Sequence, residues 1–487
     1  MSSTICPPSD GPDEHSENGG VSEGTNDTQG RLIDPAKPTE EHVDFAPMIP
    51  GKASASPVQQ EDADCYFVPS SSYPICKSAR RIFRALGKLL TMFVYCGLVV
   101  ELCLKRREEY DLKVVSPSAF RSRVESIGTI LKYGVDNKDK DKFIIRPSRC
   151  SKDAAEALLA TLEAQQCLPP ISSLVSSPVL IATGNRNAAF LGRGYHPVFG
   201  GLYVTKGKDP IDVPPTEAKE KLLWLLRQFK FATPSDHARA VAALLTPALL
   251  FGKLVGENRV PMFLVAADHS GTGKGYLTRL VTAIYGENPK PVAQRDGGVG
   301  GFDEDFNARL FEGHPFLVLD NLRGRLNSMH IECFLTADSS FLARTPHRSA
   351  IDVDPSRFIV LATSNGFETT PDLWNRTVTI NLRKRPPGYN FGPYPEGDLI
   401  AHVRARQPYY LGCVHAVLRE WIAEGSLQTT ENRHFFRDWA RTSDWILVRL
   451  FKDYQLGRLL ENDAPSNDSP SSLRDFLDFS KKDEDRA

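Results

Sequence analysis

Apolar and polar residues change their rhythm along this 487-residue chain, and each rhythm predicts a different element. From Val260 onward the apolar residues fall in short continuous blocks: Pro261 to Ala266, Phe316 to Leu319 and Phe358 to Ala362. Continuous blocks are expected of strands covered on both faces, as in a mostly parallel α/β sheet with helices on either side. After the first block, Leu277, Leu280, Val281 and Ile284 repeat at helical spacing and predict an amphipathic helix. Upstream, Ser235 to Phe251 carries apolar residues at 238, 241, 242, 245, 248 and 249, a second helix, and Pro214 to Leu226 opens another before it. Ala154 to Gln165 reads as one helix stopped by Leu168-Pro-Pro, and Val179 to Val204 as short strands and turns. Arg80 to Leu90 is basic and helical in pattern. The apolar run Leu89 to Val100 has 12 uncharged residues, short of the roughly 20 that a membrane helix needs. It is rich in Val, Tyr and Phe and interrupted by Gly97, so it predicts a buried hairpin and no membrane span.

Charge adds an organisation that hydropathy alone does not show. Residues 1–75 hold 13 Asp/Glu and 3 Lys/Arg, although the whole chain sums to −1. Such a segment buries too little apolar surface to offset its chain entropy, so it is expected to be a disordered acidic tail. The rest is mildly basic, which permits a polyanionic partner. The predicted organisation is a tail over 1–75, a mixed α+β N-terminal domain over 76–210 and a helical lead-in over 211–258. An α/β core over 259–385, a helical C-terminal region over 386–463 and a second tail over 464–487 follow. Nine single cysteines, with no CxxC pair, indicate neither a zinc ribbon nor a disulfide framework. They fit a reducing, cytoplasmic setting, and the N-terminus lacks the pattern of a signal peptide.

The chemistry centres on the segment Ser270-Gly-Thr-Gly-Lys-Gly-Tyr276, between the first predicted strand and its helix. Gly271 and Gly273 let the backbone curl so that its N–H groups point at phosphate oxygens, and the helix N-terminus adds a favourable dipole. Lys274 would reach the β- and γ-phosphates of ATP. In the usual pattern, G-x-x-x-x-G-K-[ST], the first Gly is here Asp268 and the final Ser/Thr is Gly275, which removes a hydroxyl that normally holds Mg²⁺. Asp320 ends the block Phe316 to Leu319, where a Mg²⁺-bound water must be held, and is the candidate metal-binding carboxylate. Asn321 follows it, and an amide can orient water but cannot take its proton. Asn365, at the tip of a strand expected between the other two, is placed to sense γ-phosphate or else to cap a turn with Gly366. Arg376 could stabilise phosphoryl charge across a subunit boundary, or form a surface ion pair.

Together Gly271-Thr-Gly-Lys274, Leu317-Val-Leu-Asp-Asn321, Ala362-Thr-Ser-Asn365 and Asp372-Leu-Trp-Asn-Arg376 resemble the superfamily 3 helicases of the AAA+ class, closest to those of phages and integrated elements. The resemblance covers roughly 170–455 and implies a P-loop AAA+-like parallel sheet with a helical C-terminal lid. It implies an ATP- and Mg²⁺-dependent helicase or translocase of a replication system, assembled as a homo-oligomeric ring, hexameric in that family, on single-stranded or forked DNA. It also implies a pore hairpin at Ala343 to Ala350, whose Arg344, His347 and Arg348 would contact phosphates while Phe341 stacks on a base. Gly297 to Gly301 lacks a following Lys and reads as a flexible connection. The alternative is a nucleotide-binding assembly or DNA-binding module with little hydrolysis, which Gly275 and Asn321 favour. A small-molecule kinase rests on Gly275 alone.

Overall fold

The apolar blocks become the middle of a five-stranded sheet in which every pairing is parallel. In spatial order its strands are Val292–Ala293, Phe316–Arg325, Ile359–Glu368, Met262–Ala267 and Thr377–Leu382. The computed structural model describes residues 65–105, 109–136, 139, 142–256, 259–267, 269–293, 301–325, 329–345, 350–368 and 370–460. The described residues belong to one compact unit.

Successive side chains of a strand point to opposite faces, so one strand feeds two cores. Phe263 and Val265 enter a core shared with the helices Pro215–Leu226, Pro234–Phe251, Lys274–Ile284 and Gln407–Ala423. Met262 and Leu264 enter another, shared with Phe302–Leu310, Met329–Thr336 and the antiparallel pair Phe341–Ala343 and Ile351–Val353. The C-terminal helix Gln407–Ala423 packs back onto the lead-in helix Pro215–Leu226, so lead-in and C-terminal region share one hydrophobic core.

In the N-terminal region the run Leu89 to Val100 forms the predicted hairpin, Met92–Tyr95 with Leu98–Leu104. Its two-residue turn places Cys96 and Gly97 at φ 47° and 79°, the geometry that matches strand twist. Two expectations change. Ala154 to Gln165 is two helices, Lys152–Leu159 and Leu162–Cys167, because the Thr161 hydroxyl and N–H both turn back to Leu158 O, at 2.7 and 3.1 Å, and close the first. Cys65–Phe67, inside the span expected to be a tail, is a strand paired in parallel with Thr129–Val135. Residues 1–64 and 461–487 lie outside the described residues, as do Gly297 to Gly300.

The helix Pro234–Phe251 is fixed to the last sheet strand by a buried carboxylate. Asp236 accepts from Thr233 N and Oγ1 at 3.0 and 2.7 Å, completing a capping box, and from Asn381 N and Nδ2 at 2.9 and 3.1 Å. It also pairs with Arg239 at 3.2 Å, and Arg239 donates to Thr379 O and Leu459 O. Both charged side chains are almost fully buried, at 4% and 1% exposure for Arg239 and Asp236. Removing one partner of such a pair leaves a buried charge uncompensated. Asp236→Ala should therefore destabilise the unit by about 3–5 kcal/mol, whereas Thr233→Ala, which removes only cap bonds, should cost about 1 kcal/mol. Denaturant midpoints of the two variants check this order.

Candidate nucleotide site at the carboxyl edge of the sheet

All five strands run in one direction, so their C-terminal ends and the loops that follow share one edge. The strand Met262–Ala267 leads through Ser270 and Thr272 into the helix Lys274–Ile284. The turn requires φ of 76° at Gly271 and 97° at Gly273, values that glycine adopts without strain. Gly273 also packs against Phe229: a Cβ there would lie 3.3 Å from its ring. No side chain caps the helix, so its N-terminal amides and dipole face the loop. Asp268 lies outside the described residues.

Lys274 turns its ammonium back over the loop. Nζ donates to His269 O at 3.2 Å and Thr272 Oγ1 at 3.5 Å, and makes a close contact with Asn365 Oδ1. The strand carrying Asn365 lies between the loop strand and the strand carrying Asp320. Ala266 is in register with Ser364, and Leu319 with Ala362, so Ala267, Asn365 and Asp320 come to the same end of the sheet, although the strands of the last two run on to Glu368 and Arg325.

Asp320 and Asn321 sit at a break in that register. Between Leu319 and Leu322 the strand bulges, Asn321 adopts φ 58°, and both polar side chains are exposed while Leu322 returns to the core. Thr363, buried on the adjacent strand, holds the bulge: its hydroxyl donates to Asp320 Oδ1 at 2.6 Å and accepts from Asn321 N at 2.8 Å. Arg323 reaches Asn321 Oδ1 at 3.4 Å. Among the described residues no group of three metal-ligating side chains occurs. One exposed carboxylate suits a Mg²⁺ that keeps its waters and takes further ligands from phosphates, rather than a cage built by protein alone.

The other predicted residues divide. Ser270 is exposed on the loop, and Gly275 follows Lys274 in the first helical turn, where a Cβ would meet nothing within 4 Å. The Tyr276 hydroxyl donates to Asp398 Oδ2 at 3.1 Å and its ring lies under Arg279. Asp398 caps the helix Leu399–Ala405, and the Ala401 N–H holds its carboxyl below the usual carboxylate range. Arg376 is not brought to the loop. Its backbone O accepts from Met262 N, at the start of the loop strand and roughly 17 Å of strand from its end. Its buried guanidinium donates to Asp372 O at 2.8 Å and lies over the Phe435 ring. Phe341 is also withdrawn: it is 6% exposed, packed edge-on against Phe334 and His330, and cannot offer its face to a base. Arg344 is exposed just beyond its strand, whereas His347 and Arg348 lie outside the described residues.

The motifs give no role to three residues near the loop. Thr363 lies inside Ala362-Thr-Ser-Asn365 without being singled out there, and Arg383 and Lys384 are exposed immediately after Leu382, which pairs with Ala267. Strand register is the signal for Thr363, since Leu319 opposite Ala362 puts Asp320 beside it.

No family model matches the chain, and no curated protein does. Among solved structures, it is similar to the apo form of the NrS-1 C-terminal region at 13% identity, with 81% of this chain and 79% of that chain covered and a TM-score of 0.37. An SCCmec type IV Cch active helicase gives 12% identity, 79% and 71% coverage and a TM-score of 0.29. A JCV helicase bound to a substituted phenyl acetamide gives 11%, 54% and 68%, and 0.22. Likenesses this weak transfer neither substrate nor mechanism to this chain.

Because Thr363 orients the carboxylate without touching phosphate, Thr363→Val should weaken metal-dependent nucleotide binding by roughly 10-fold, as loss of an outer-shell partner does. Titration of ATP with Mg²⁺ and with EDTA separates this from a general loss of binding, which should not occur.

Proposed function

We propose that this chain binds ATP at the Lys274 loop and uses it to move along DNA, as a helicase or translocase of a replication system of a phage or mobile element. The observation that carries the reading is the strand order. The strand that carries Asn365, Ile359–Glu368, stands between the loop strand and the Asp320 strand, and Lys274 already contacts Asn365. A γ-phosphate entering the loop would meet Lys274, displace its contact and come within reach of the Asn365 amide, while Asp320 lies one strand further along the same edge. Mg²⁺ bound by Asp320 would supply charge neutralisation between the phosphates. Asn321, exposed beside Asp320, would orient a water through its amide.

DNA contact would fall to the residues that follow Phe341–Ala343, where Arg344 is exposed and His347 and Arg348 continue a basic sequence. Assembly into a homo-oligomeric ring belongs to the same proposal. Arg376 would act on a neighbour's nucleotide only after leaving Asp372 O and Phe435, so its place in the mechanism is conditional on subunit contact. Native mass measurement with and without nucleotide tests the ring.

Two predictions separate this reading from its rival, a nucleotide-binding assembly module with little hydrolysis, which the missing hydroxyl at Gly275 and the amide at Asn321 favour. Lys274→Ala should abolish an ATPase that single-stranded DNA stimulates, and Arg344→Ala with Arg348→Ala should remove the stimulation while leaving the basal rate. ATP binding without turnover, with or without DNA, would select the rival. Gly275→Ser restores a hydroxyl at a position with open space for it and should raise Mg²⁺-dependent turnover several-fold. An unchanged rate with tightened binding would mean that Asn321, not Gly275, limits hydrolysis.

A further inference from the structure

The helix Ile75–Lys88 carries a charge pattern that its own fold does not use. Ser78, Ala79, Ile82, Phe83 and Leu86 are buried against the N-terminal core. On the opposite side Lys77, Arg80, Arg84 and Lys88 are exposed and Arg81 is half-buried. At the α-helical repeat these five side chains fall within an arc of about 100° and a length of roughly 16 Å. The helix has no acidic residue with which to alternate them. Lys77 and Arg81, Arg80 and Arg84, and Arg84 and Lys88 stand four residues apart, a spacing at which like charges destabilise a helix. Arg80 lies 3.6 Å from Glu163, and Arg81 lies 5.9 Å over the Tyr66 ring. Lys77, Arg84 and Lys88 have no carboxylate within ion-pair distance among the described residues. Among the described residues, therefore, the helix bears an electrostatic cost along one line and three of its charges meet no carboxylate.

We propose that this face docks the phosphate backbone of duplex nucleic acid. A line of cations on a rigid helix neutralises phosphates and releases counterions without reading bases. The face carries no aromatic residue, whereas single-strand grips combine charge with aromatic stacking. A membrane surface fits less well, because an interfacial helix inserts its apolar face, and here that face is the core of the domain. The surface is separate from the nucleotide reading: Lys274→Ala, which should abolish ATP binding, should leave it intact.

The test is nucleotide-free binding of the full chain to a labelled duplex, titrated between about 50 and 200 mM salt, for the wild type and for Lys77→Gln/Arg84→Gln/Lys88→Gln. The wild type should bind, and the triple variant should bind at least tenfold more weakly with a log–log salt slope shallower by about 2 to 3. Lys77→Arg/Lys88→Arg, which keeps the charges, should retain the wild-type slope. The triple variant removes like-charge repulsion and should keep its helical circular dichroism, and affinity for a single strand of the same length should change little. An unchanged duplex affinity and slope would overturn the proposal. So would an equal loss for the single strand, or wild-type binding to anionic phospholipid vesicles without binding to the duplex.

Discussion

The hydroxyl of Thr363 is the small interaction on which the candidate site depends. It is buried in the central strand, donates to Asp320 and accepts from the Asn321 backbone N–H, and so fixes a bulge in the neighbouring strand. Without that bulge, strict alternation would turn one of two consecutive side chains into the core. With it, Asp320 and Asn321 are both exposed. The same central strand carries Asn365, which meets Lys274, so one strand ties the acid on one side to the cation on the other.

This arrangement needs the sheet to keep its order. The loop strand is buried on both faces, and each face is covered by a different core. The lead-in helix Pro234–Phe251 is locked to the outermost strand through Asp236 and Arg239, while Phe229, just upstream, packs against Gly273 of the loop. Lead-in, loop and last strand are therefore one mechanical piece. The tyrosine after Gly275 extends that piece to the C-terminal helices by its bond to Asp398.

Much of this was legible in the sequence because buried parallel strands are continuous apolar runs, and three of the five sheet strands announced themselves that way. The strands Val292–Ala293 and Thr377–Leu382 did not: one is two residues long, and the other, Thr-Val-Thr-Ile-Asn-Leu, alternates like a half-solvated strand although it is mostly buried. Loop residues with a chemical requirement were readable from type and spacing, as Gly271, Gly273 and Lys274 were. What spacing could not give was direction. Phe341, Tyr276 and Arg376 have the right chemistry for base, nucleotide and neighbour, but packing turns the first into the core and commits the other two to Asp398 and to Asp372 and Phe435. Thr363 stood inside the Ala362-Thr-Ser-Asn365 motif, but its role was hidden for the opposite reason, since it exists only when two strands distant in sequence lie side by side.

The central claim is that the Lys274–Asn365 contact marks where a γ-phosphate belongs. Equilibrium titration of the full chain with ATP and with ADP, in the wild type and in Asn365→Ala, tests it most directly. The wild type should bind ATP more tightly than ADP, and the two affinities should become nearly equal once the Asn365 amide is gone. Failure of the wild type to bind either nucleotide, or an undiminished preference for ATP in Asn365→Ala, would contradict it.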